Sequence, residues 1–197
     1  RRQRQMCIRD SIYTEGITKI TKTDIEYAKA LHASIKLLGT SKWEDDGKIY
    51  SMVAPFMIDS DHPLGHVNGV FNGIFVNGNM LGDTMFYGKG AGKLPTASAV
   101  VADVVDAVKH QGTNIMTIWE QDKVELGDRA NFACRFFVRV ADTTSKETIE
   151  KVFGEVEYVT LADVSGEYAF LTEKLTEGAF EEKSKQVDMI MRIRTAL

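Results

Sequence analysis

The chain has little of what a secreted, membrane or cysteine-ligated metal protein needs. Its 197 residues contain only two cysteines, Cys7 and Cys134, which form no metal-ligand or redox pattern. Two scattered thiols are typical of a reducing compartment, so we expect a cytoplasmic protein. No apolar run approaches the length that spans a bilayer, and the first residues lack the apolar core of a signal peptide. We therefore expect no membrane partner.

The sequence also lacks an excess of positive charge outside the N-terminus. Lysine and arginine number 24 against 28 aspartates and glutamates, which gives a net charge of −4. This balance argues against a nucleic-acid-binding surface. The exception is the segment 1–11, which carries four arginines, no start methionine and no aromatic residue. We interpret residues 1–14 as a disordered leader or an artefact of reading-frame assembly, with a basic nucleic-acid arm as the alternative, and expect the chain to be truncated at its N-terminus.

Glycine is concentrated in one stretch, Gly88 to Gly92, before a predicted helix from Thr96 to Lys109. Three glycines at alternate positions allow close backbone approach to a ligand, and Pro95 suits the first turn of a helix. A glycine loop that opens onto a helix N-terminus favours an anion, because unpaired N–H groups and the helix dipole point the same way. A flexible loop before a buried helix is the alternative. The spacing fits neither the Walker pattern nor the dinucleotide fingerprint.

This loop lies in a longer segment that resembles the closing motif of homoserine dehydrogenases. The segment runs from Tyr87 to Asp103 and reads Tyr-Gly-Lys-Gly-Ala-Gly, then Pro-Thr-Ala-Ser-Ala-Val-Val-Ala-Asp. The resemblance covers about Glu15 to Lys109, because three further blocks match the same family in the same order. They are Glu15-Gly16-Ile17 with Ile20-Thr21 and Asp24-Ile25; Ile35 to Gly39; and Asp61 to Leu64 followed by Val67 and Gly69 to Asn72.

The resemblance implies reversible hydride transfer between a nicotinamide cofactor, NADP or NAD, and aspartate semialdehyde, which gives homoserine. It places Gly92 against the cofactor, with Gly90 and Ala91 beside it and Thr96 at the helix start. The proton-donating lysine of the family lies in a Gly-x-Asp-x-x-x-Lys segment upstream of Glu-Gly-Ile. This sequence contains no such segment and no Rossmann domain. We therefore expect no catalytic residue in the fragment and no activity from it alone.

Two histidines invite a catalytic or metal-binding interpretation. His62 could act as a base, but Asp61-His62-Pro63 is favoured as a turn after a strand. His66 follows four positions later, yet no carboxylate or cysteine completes a metal site with it, so we expect no metal. His32 stands where family members commonly carry a glycine that ends a helix. We interpret it as an exposed residue at the helix end.

The family region predicts an antiparallel-rich sheet with few helices. A short helix precedes the sheet. Thr23 is its predicted N-cap, and the Glu26 side chain is expected to accept from the Thr23 backbone N–H in a capping box. In the family this sheet packs across a dimer interface, so the resemblance implies a homo-oligomer, either a dimer or a tetramer. The predicted strands are Ile35–Trp43 and Lys48–Ile58, joined through Asp45-Asp46-Gly47, and Val70–Val76 and Met80–Tyr87, joined through Asn77-Gly78-Asn79.

The remaining residues predict a ferredoxin-like βαββαβ unit after a polar linker that carries one short strand, Ile115–Trp119. Alternation from Arg135 to Val140 predicts one covered face of its first strand. The predicted strands are Cys134–Ala141, Val156–Ala162, Tyr168–Thr172 and Met189–Arg194, and the predicted helices are Ser145–Phe153 and Gly178–Val187.

This unit resembles the ACT domain that many homoserine dehydrogenases carry after the catalytic region. ACT domains usually follow their first strand with an aspartate and a Pro-Gly pair, which lines an amino-acid effector site. Here Asp142 remains, but Thr143-Thr144 replaces the pair, and without glycine the backbone approaches an effector less closely. We therefore expect this domain to bind threonine poorly, and Asp142 or Ser145 is favoured as a helix cap.

The predicted class is α+β: an antiparallel-rich catalytic and dimerisation sheet with helices, then a ferredoxin-like ACT-type domain. The predicted divisions are a leader (1–14), the catalytic region (15–110), a linker (111–129) and the ACT-like domain (130–197). The predicted function is that of the C-terminal part of a homoserine dehydrogenase acting on a small-molecule substrate. Two alternatives stay open, an amino-acid-binding regulatory module and a purely dimerising module.

Overall fold

The computed structural model describes residues 12–90, 92–113 and 124–196. Over these ranges the chain forms two compact units. The first unit combines residues 12–60 with residues 124–196, and the second unit consists of residues 61–113. No helix in the described ranges is long and apolar enough to cross a membrane. The α+β class predicted from the sequence is confirmed.

The described residues contain ten strands, four α-helices and two 3₁₀ turns, Pro63–His66 and Arg129–Asn131. The predicted strand at Ile115–Trp119 lies outside the described residues. In chain order the elements are β1 (Tyr13–Thr14), α1 (Lys22–Ala30), β2 (Ala33–Trp43), β3 (Ile49–Asp59), β4 (Phe71–Gly78), β5 (Gly82–Lys89), α2 (Lys93–Lys109), β6 (Ala133–Ala141), α3 (Lys146–Phe153), β7 (Val156–Val159), β8 (Glu167–Thr172), β9 (Leu175–Thr176), α4 (Glu177–Ser184) and β10 (Met189–Ala196).

One mixed sheet of eight strands forms the centre of the first unit. Its order is β1-β3-β10-β6-β8-β7, with β2 paired to β3 and the short β9 paired to β6. The predicted hairpin of β2 and β3 is present, and Gly47 in its turn has a φ of 74°. β10 pairs antiparallel with β6 and parallel with β3, where Arg194 lies opposite Phe56. The last strand therefore joins the predicted βαββαβ unit to the strands of the family region.

The βαββαβ order predicted for residues 130–197 is present as β6-α3-β7-β8-α4-β10. Its strands lie in the spatial order β10-β6-β8-β7, which is that of a ferredoxin-like sheet. β7 is shorter than predicted and α4 ends three residues earlier, at Ser184. The ACT identity of this unit and the predicted domain divisions stay predictions.

Helices cover both faces of the sheet. α3 and α4 pack on one face around Phe136, Phe170 and Phe180, each at most 2% exposed. α1 packs on the other face, where the Tyr27 and Phe137 ring centroids are 5.5 Å apart. The prediction of a single covered face for β6 was therefore wrong. The alternation was real, but α1 supplies a second layer that the local pattern cannot show.

The cap of α1 lies two residues before its predicted position. Thr21 is the N-cap, and its hydroxyl accepts from the Asp24 backbone N–H while the Asp24 carboxylate accepts from the Thr21 N–H at 2.7 Å. The predicted cap at Thr23 with Glu26 was wrong. Both pairs have the capping-box spacing, so the local sequence does not separate them.

The second unit consists of the β4–β5 hairpin and α2, a helix of 17 residues. The hairpin pairs Phe71 with Lys89 and Gly78 with Gly82. Its turn therefore lies at residues 79–81, and the predicted turn at Asn77-Gly78-Asn79 was wrong by two residues. β4 and β5 form a separate two-stranded sheet, whereas the sequence predicted one sheet for both hairpins.

Candidate functional site

Aromatic stacking holds the end of the β4–β5 hairpin from which the glycine loop leaves. The Phe71 and Tyr87 rings lie 4.8 Å apart and within 7° of parallel. The Lys89 ammonium lies 5.7 Å from the centroid of the Phe71 ring, a cation–π contact. The last residue of β5 is thereby held against its partner strand, which fixes where the loop begins.

Gly90 lies directly under the Asn72 side chain. A Cβ built on Gly90 would be 2.1 Å from Asn72 Nδ2. Any larger residue at position 90 would have to displace that amide. The absence of a side chain therefore lets β4 and the loop approach each other closely.

Gly92 is the N-cap of α2 and has a conformation that favours glycine. Its φ is 115° and its ψ is 157°, and no side chain accepts a hydrogen bond from the first turn of the helix. The other three α-helices in the described ranges are capped by the hydroxyls of Thr21, Ser145 and Thr176. The start of α2 therefore presents its backbone donors without a competing side-chain oxygen.

Pro95 and Thr96 define the first turn of α2. The Thr96 N–H donates to the Gly92 carbonyl at 3.2 Å, and Pro95 has no N–H to donate. The donors left for a ligand are the N–H groups of Lys93 and Leu94, both on exposed residues. Such a helix start suits an anionic group of moderate size.

The structure brings three of the four predicted site residues to this junction. Gly90 ends the hairpin side of the loop, Gly92 caps α2, and Thr96 lies in the first turn of the helix. Ala91 lies outside the described residues. The assignment of these residues to cofactor binding stays a prediction.

His62 has the turn-forming role that the sequence favoured over a catalytic one. Its Nδ1 accepts from the Leu64 N–H at 3.1 Å and caps the 3₁₀ turn that follows. Its ring packs at 4.8 Å on Phe75. Because Nδ1 is engaged by the backbone, the ring is held as part of the turn. His66 is exposed at the end of the same turn.

Two buried ion networks in the first unit have no counterpart in the sequence prediction. In the first, Arg194 donates through Nη2 to Glu177 at 3.0 Å and through Nη1 to Glu15 at 2.7 Å. In the second, Arg139 bonds to Asp24 at 2.6 Å and bidentately to Glu167. The only indication of these networks in the local sequence was the alternation of arginine with apolar residues in β6 and β10.

The networks shift the pKa values of Glu15 and Arg139. Burial alone would raise the pKa of the Glu15 carboxyl, but the hydrogen bond from Arg194 and the charges of Arg192 and Arg194 outweigh burial and lower it. Burial alone would lower the pKa of Arg139, but Glu167 and Asp24 outweigh burial and raise it. Both groups therefore stay charged at neutral pH.

Known proteins similar to this chain share one description. The family model for homoserine dehydrogenase matches residues 4–105. The homoserine dehydrogenase of Pseudomonas aeruginosa is 49% identical over 100 residues, which cover 51% of this chain and 23% of that protein. The homoserine dehydrogenase of Helicobacter pylori is 35% identical over 143 residues, which cover 73% of this chain and 34% of that protein.

Solved structures extend the similarity across both units. The crystal structure of a homoserine dehydrogenase from Thiobacillus denitrificans has a TM-score of 0.79 and 25% identity, covering 94% of this chain and 48% of that one. The crystal structure of S. aureus homoserine dehydrogenase at pH 7.0 has a TM-score of 0.72 and 29% identity. This match covers 95% of this chain and 48% of that one. The chain spans about half the length of these solved relatives, and 23% and 34% of the length of the Pseudomonas aeruginosa and Helicobacter pylori enzymes.

Proposed function

The chain belongs to the homoserine dehydrogenase family, and we propose that it provides the glycine loop and two of the sheets of an enzyme that interconverts aspartate semialdehyde and homoserine. Membership of the family implies a nicotinamide cofactor. The observation that carries the proposal is the start of α2, where Gly92 is the N-cap and no side chain covers the first turn. Those open backbone donors suit the anionic part of a dinucleotide.

The residues of the loop fit a cofactor through their backbone. Gly92 leaves the donors of Lys93 and Leu94 without a neighbouring side chain, and Thr96 lies within the same turn. When it is bound, a nicotinamide cofactor supplies the hydride chemistry, and the protein supplies position. The loop fits NADP and NAD equally, because its donors are main-chain groups. We assign no proton-transfer role to a residue of this chain and expect no turnover from the chain alone.

Exposed apolar residues support a role within a larger assembly. α2 is apolar on most of its surface, yet Val101 and Val108 are each 60% exposed and Leu94 is 79% exposed. A helix that is apolar on all sides is normally buried. On the β4–β5 hairpin, Ile74 is 65% exposed and Phe86 is 64% exposed. We propose that further protein covers these surfaces in a homo-oligomeric, cytoplasmic enzyme.

Residues 142–145 form the loop that would line an amino-acid effector site, and hydrogen bonds within the chain hold this loop in place. The Ser145 hydroxyl accepts from the Thr148 N–H as the cap of α3, and the Tyr168 hydroxyl donates to the Thr144 carbonyl at 2.6 Å. The Asp142 N–H donates to the Gly166 carbonyl at 3.0 Å. These contacts favour a packing role for this loop over the regulatory alternative.

A chimera tests the proposal. The part of the Pseudomonas aeruginosa enzyme that precedes its matched segment would be fused to residues 12–197 of this chain. We expect NADPH- or NADH-dependent reduction of aspartate semialdehyde by the chimera and none by the chain alone. A folded chimera that binds the cofactor but shows no turnover would contradict the proposal. The intact Pseudomonas aeruginosa enzyme is the matched control.

A further inference from the structure

Asn72 lies at the loop end of the exposed face of the β4–β5 hairpin. It pairs with Gly88, and the next pair on the same face is Ile74 with Phe86, which are 65% and 64% exposed. Residues two positions apart in a strand share a face. Asn72 is therefore the polar residue of the hairpin that adjoins the glycine loop on this face.

The side-chain amide of Asn72 lies over Gly90 and not over its direct partner Gly88. A Cβ built on Gly88 would have no atom within 4 Å, whereas a Cβ built on Gly90 would be 2.1 Å from Asn72 Nδ2 and 3.0 Å from Asn72 Cγ. Diagonal neighbours across a strand pair are within reach of a long side chain. The contact therefore joins the beginning of β4 to the residue that directly follows β5.

This contact holds the beginning of the glycine loop from one side, and Lys89 holds it from the other. Lys89 pairs with Phe71 on the opposite face of the hairpin, and its ammonium lies 5.7 Å from the centroid of the Phe71 ring. Gly90 precedes Gly92, the N-cap of α2, by two positions, so their Cα atoms are at most about 7 Å apart. A restraint on Gly90 is therefore also a restraint on the approach to the helix start.

We propose that Asn72 is a positioning residue for cofactor binding. Its amide packs on Gly90 and thereby holds the backbone donors at the start of α2 in the arrangement that the anionic part of the cofactor requires. This inference rests on the function proposed above, because it assigns the glycine loop to the cofactor. Glycines have more backbone freedom to lose than other residues, so a loop that is restrained before binding costs less to order. The role depends on the volume of the amide and not on a hydrogen bond to the ligand.

Two substitutions of Asn72 in the chimera separate packing from hydrogen bonding. Asn72→Ala should raise the KM for NADPH, and in parallel for NADH, by about three- to tenfold, a part of the backbone entropy of one residue, with kcat unchanged. Asn72→Leu keeps most of the volume without the amide and should restore most of the lost affinity. Asn79→Ala is the matched control, because Asn79 is an exposed asparagine in the turn at the far end of the hairpin. Its KM should equal that of the unaltered chimera.

A double variant tests the contact itself. The φ of Gly90 is not positive, so the clash with Asn72 is the main cost of a methyl group at this position. We expect Gly90→Ala to raise the cofactor KM strongly when Asn72 is present, and less when Asn72→Ala has opened the space. Strictly additive effects of the two substitutions would overturn the proposal.

The remaining outcomes separate this inference from the proposed function. An unaltered chimera without cofactor-dependent turnover would contradict the function, and the inference with it. An active chimera in which Asn72→Ala keeps its cofactor KM would overturn the inference alone, as would a fall in kcat at constant KM, which indicates destabilised enzyme. An equal rise in KM for Asn72→Ala and Asn72→Leu would assign Asn72 a direct hydrogen bond to the cofactor and would also overturn the positioning role.

Discussion

Glu15 and Arg194 lie 179 positions apart in the chain and form an ion pair with 2.7 Å between Glu15 Oε2 and Arg194 Nη1. Arg194 is fully buried, and it also bonds to the buried Glu177. The pair ties the short β1 segment to the last strand of the sheet. The segment before α1 and the ferredoxin-like unit therefore share this polar contact, which makes the C-terminal unit structurally dependent on residues near Glu15.

Removing this carboxylate should destabilise the fold. Glu15→Gln leaves Arg194 with Glu177 as its remaining acidic partner, so we expect a loss of about 1–3 kcal/mol in the free energy of unfolding. Urea unfolding of the whole chain measures it. Glu125→Gln is the matched control, because Glu125 is 76% exposed in a 3.7 Å pair with Lys48, and such pairs contribute about 0–1 kcal/mol. Equal losses in both variants would contradict the importance of the buried pair.

The same carboxyl should make stability depend on pH in the acid range. Its pKa is lowered from 4.5 in the folded chain, so its contribution is present above that value and is lost as pH falls through the folded pKa. The difference in unfolding free energy between the unaltered chain and Glu15→Gln should therefore shrink on acidification. Urea unfolding at a series of acidic pH values measures this difference. A gap that stayed constant would exclude Glu15 as the titrating group.

Cys134 should be unreactive in the folded chain. Burial raises the pKa of its thiol to about 12, and the side chain is 8% exposed. The thiolate that alkylating reagents attack is therefore nearly absent at mildly alkaline pH. Peptide mass spectrometry after iodoacetamide treatment should find Cys134 unmodified in the native chain and modified in urea. Rapid labelling without denaturant would show that this part of the core opens readily.

His32 follows α1 in a left-handed conformation, with a φ of 52°. Glycine adopts this conformation without a Cβ clash, whereas other residues lose about 1–2 kcal/mol in it. We expect His32→Gly to be more stable than His32→Ala by about 1 kcal/mol. Comparing these two variants removes the imidazole from both, so the difference in thermal or urea unfolding reports the backbone alone. Equal stabilities would mean that position 32 changes its conformation in the variants.

The sequence predicted the features that depend on neighbouring residues. The glycine loop, the start of α2 and the β2–β3 hairpin depend on spacing within a few positions, and glycine and proline mark them directly. The capping of α1 could not be predicted in this way, because Thr21 with Asp24 and Thr23 with Glu26 have the same spacing. Asp24 is buried and bonds to Arg139, 115 positions away. That contact favours the capping box formed by Thr21 and Asp24.

Long-range pairing explains the other differences. The parallel contact of β10 with β3 joins residues such as Arg194 and Phe56, and no local pattern specifies that register. The second covered face of β6 has the same origin, because the contact of α1 with Phe137 joins residues that are far apart in the sequence. The buried arginines could be placed on their strands from the sequence, but their carboxylate partners could not be identified.

Substitution of Gly92 tests the glycine loop most directly. In the chimera, Gly92→Val should reduce kcat/KM for the cofactor by about tenfold or more, which corresponds to roughly 1.4 kcal/mol. A β-branched side chain would cover the donors at the start of α2 and would be strained at a φ of 115°.

The control variant must carry the same backbone strain as Gly92→Val, because strain alone also lowers activity. Gly112 has a φ of 77°, with open space where its Cβ would be, and lies beyond the other end of α2. Gly112→Val should therefore lose a similar amount of stability and keep its cofactor kinetics. If kcat/KM for the cofactor fell equally in both variants, strain would account for the effect, and Gly92 would have no place in the binding site.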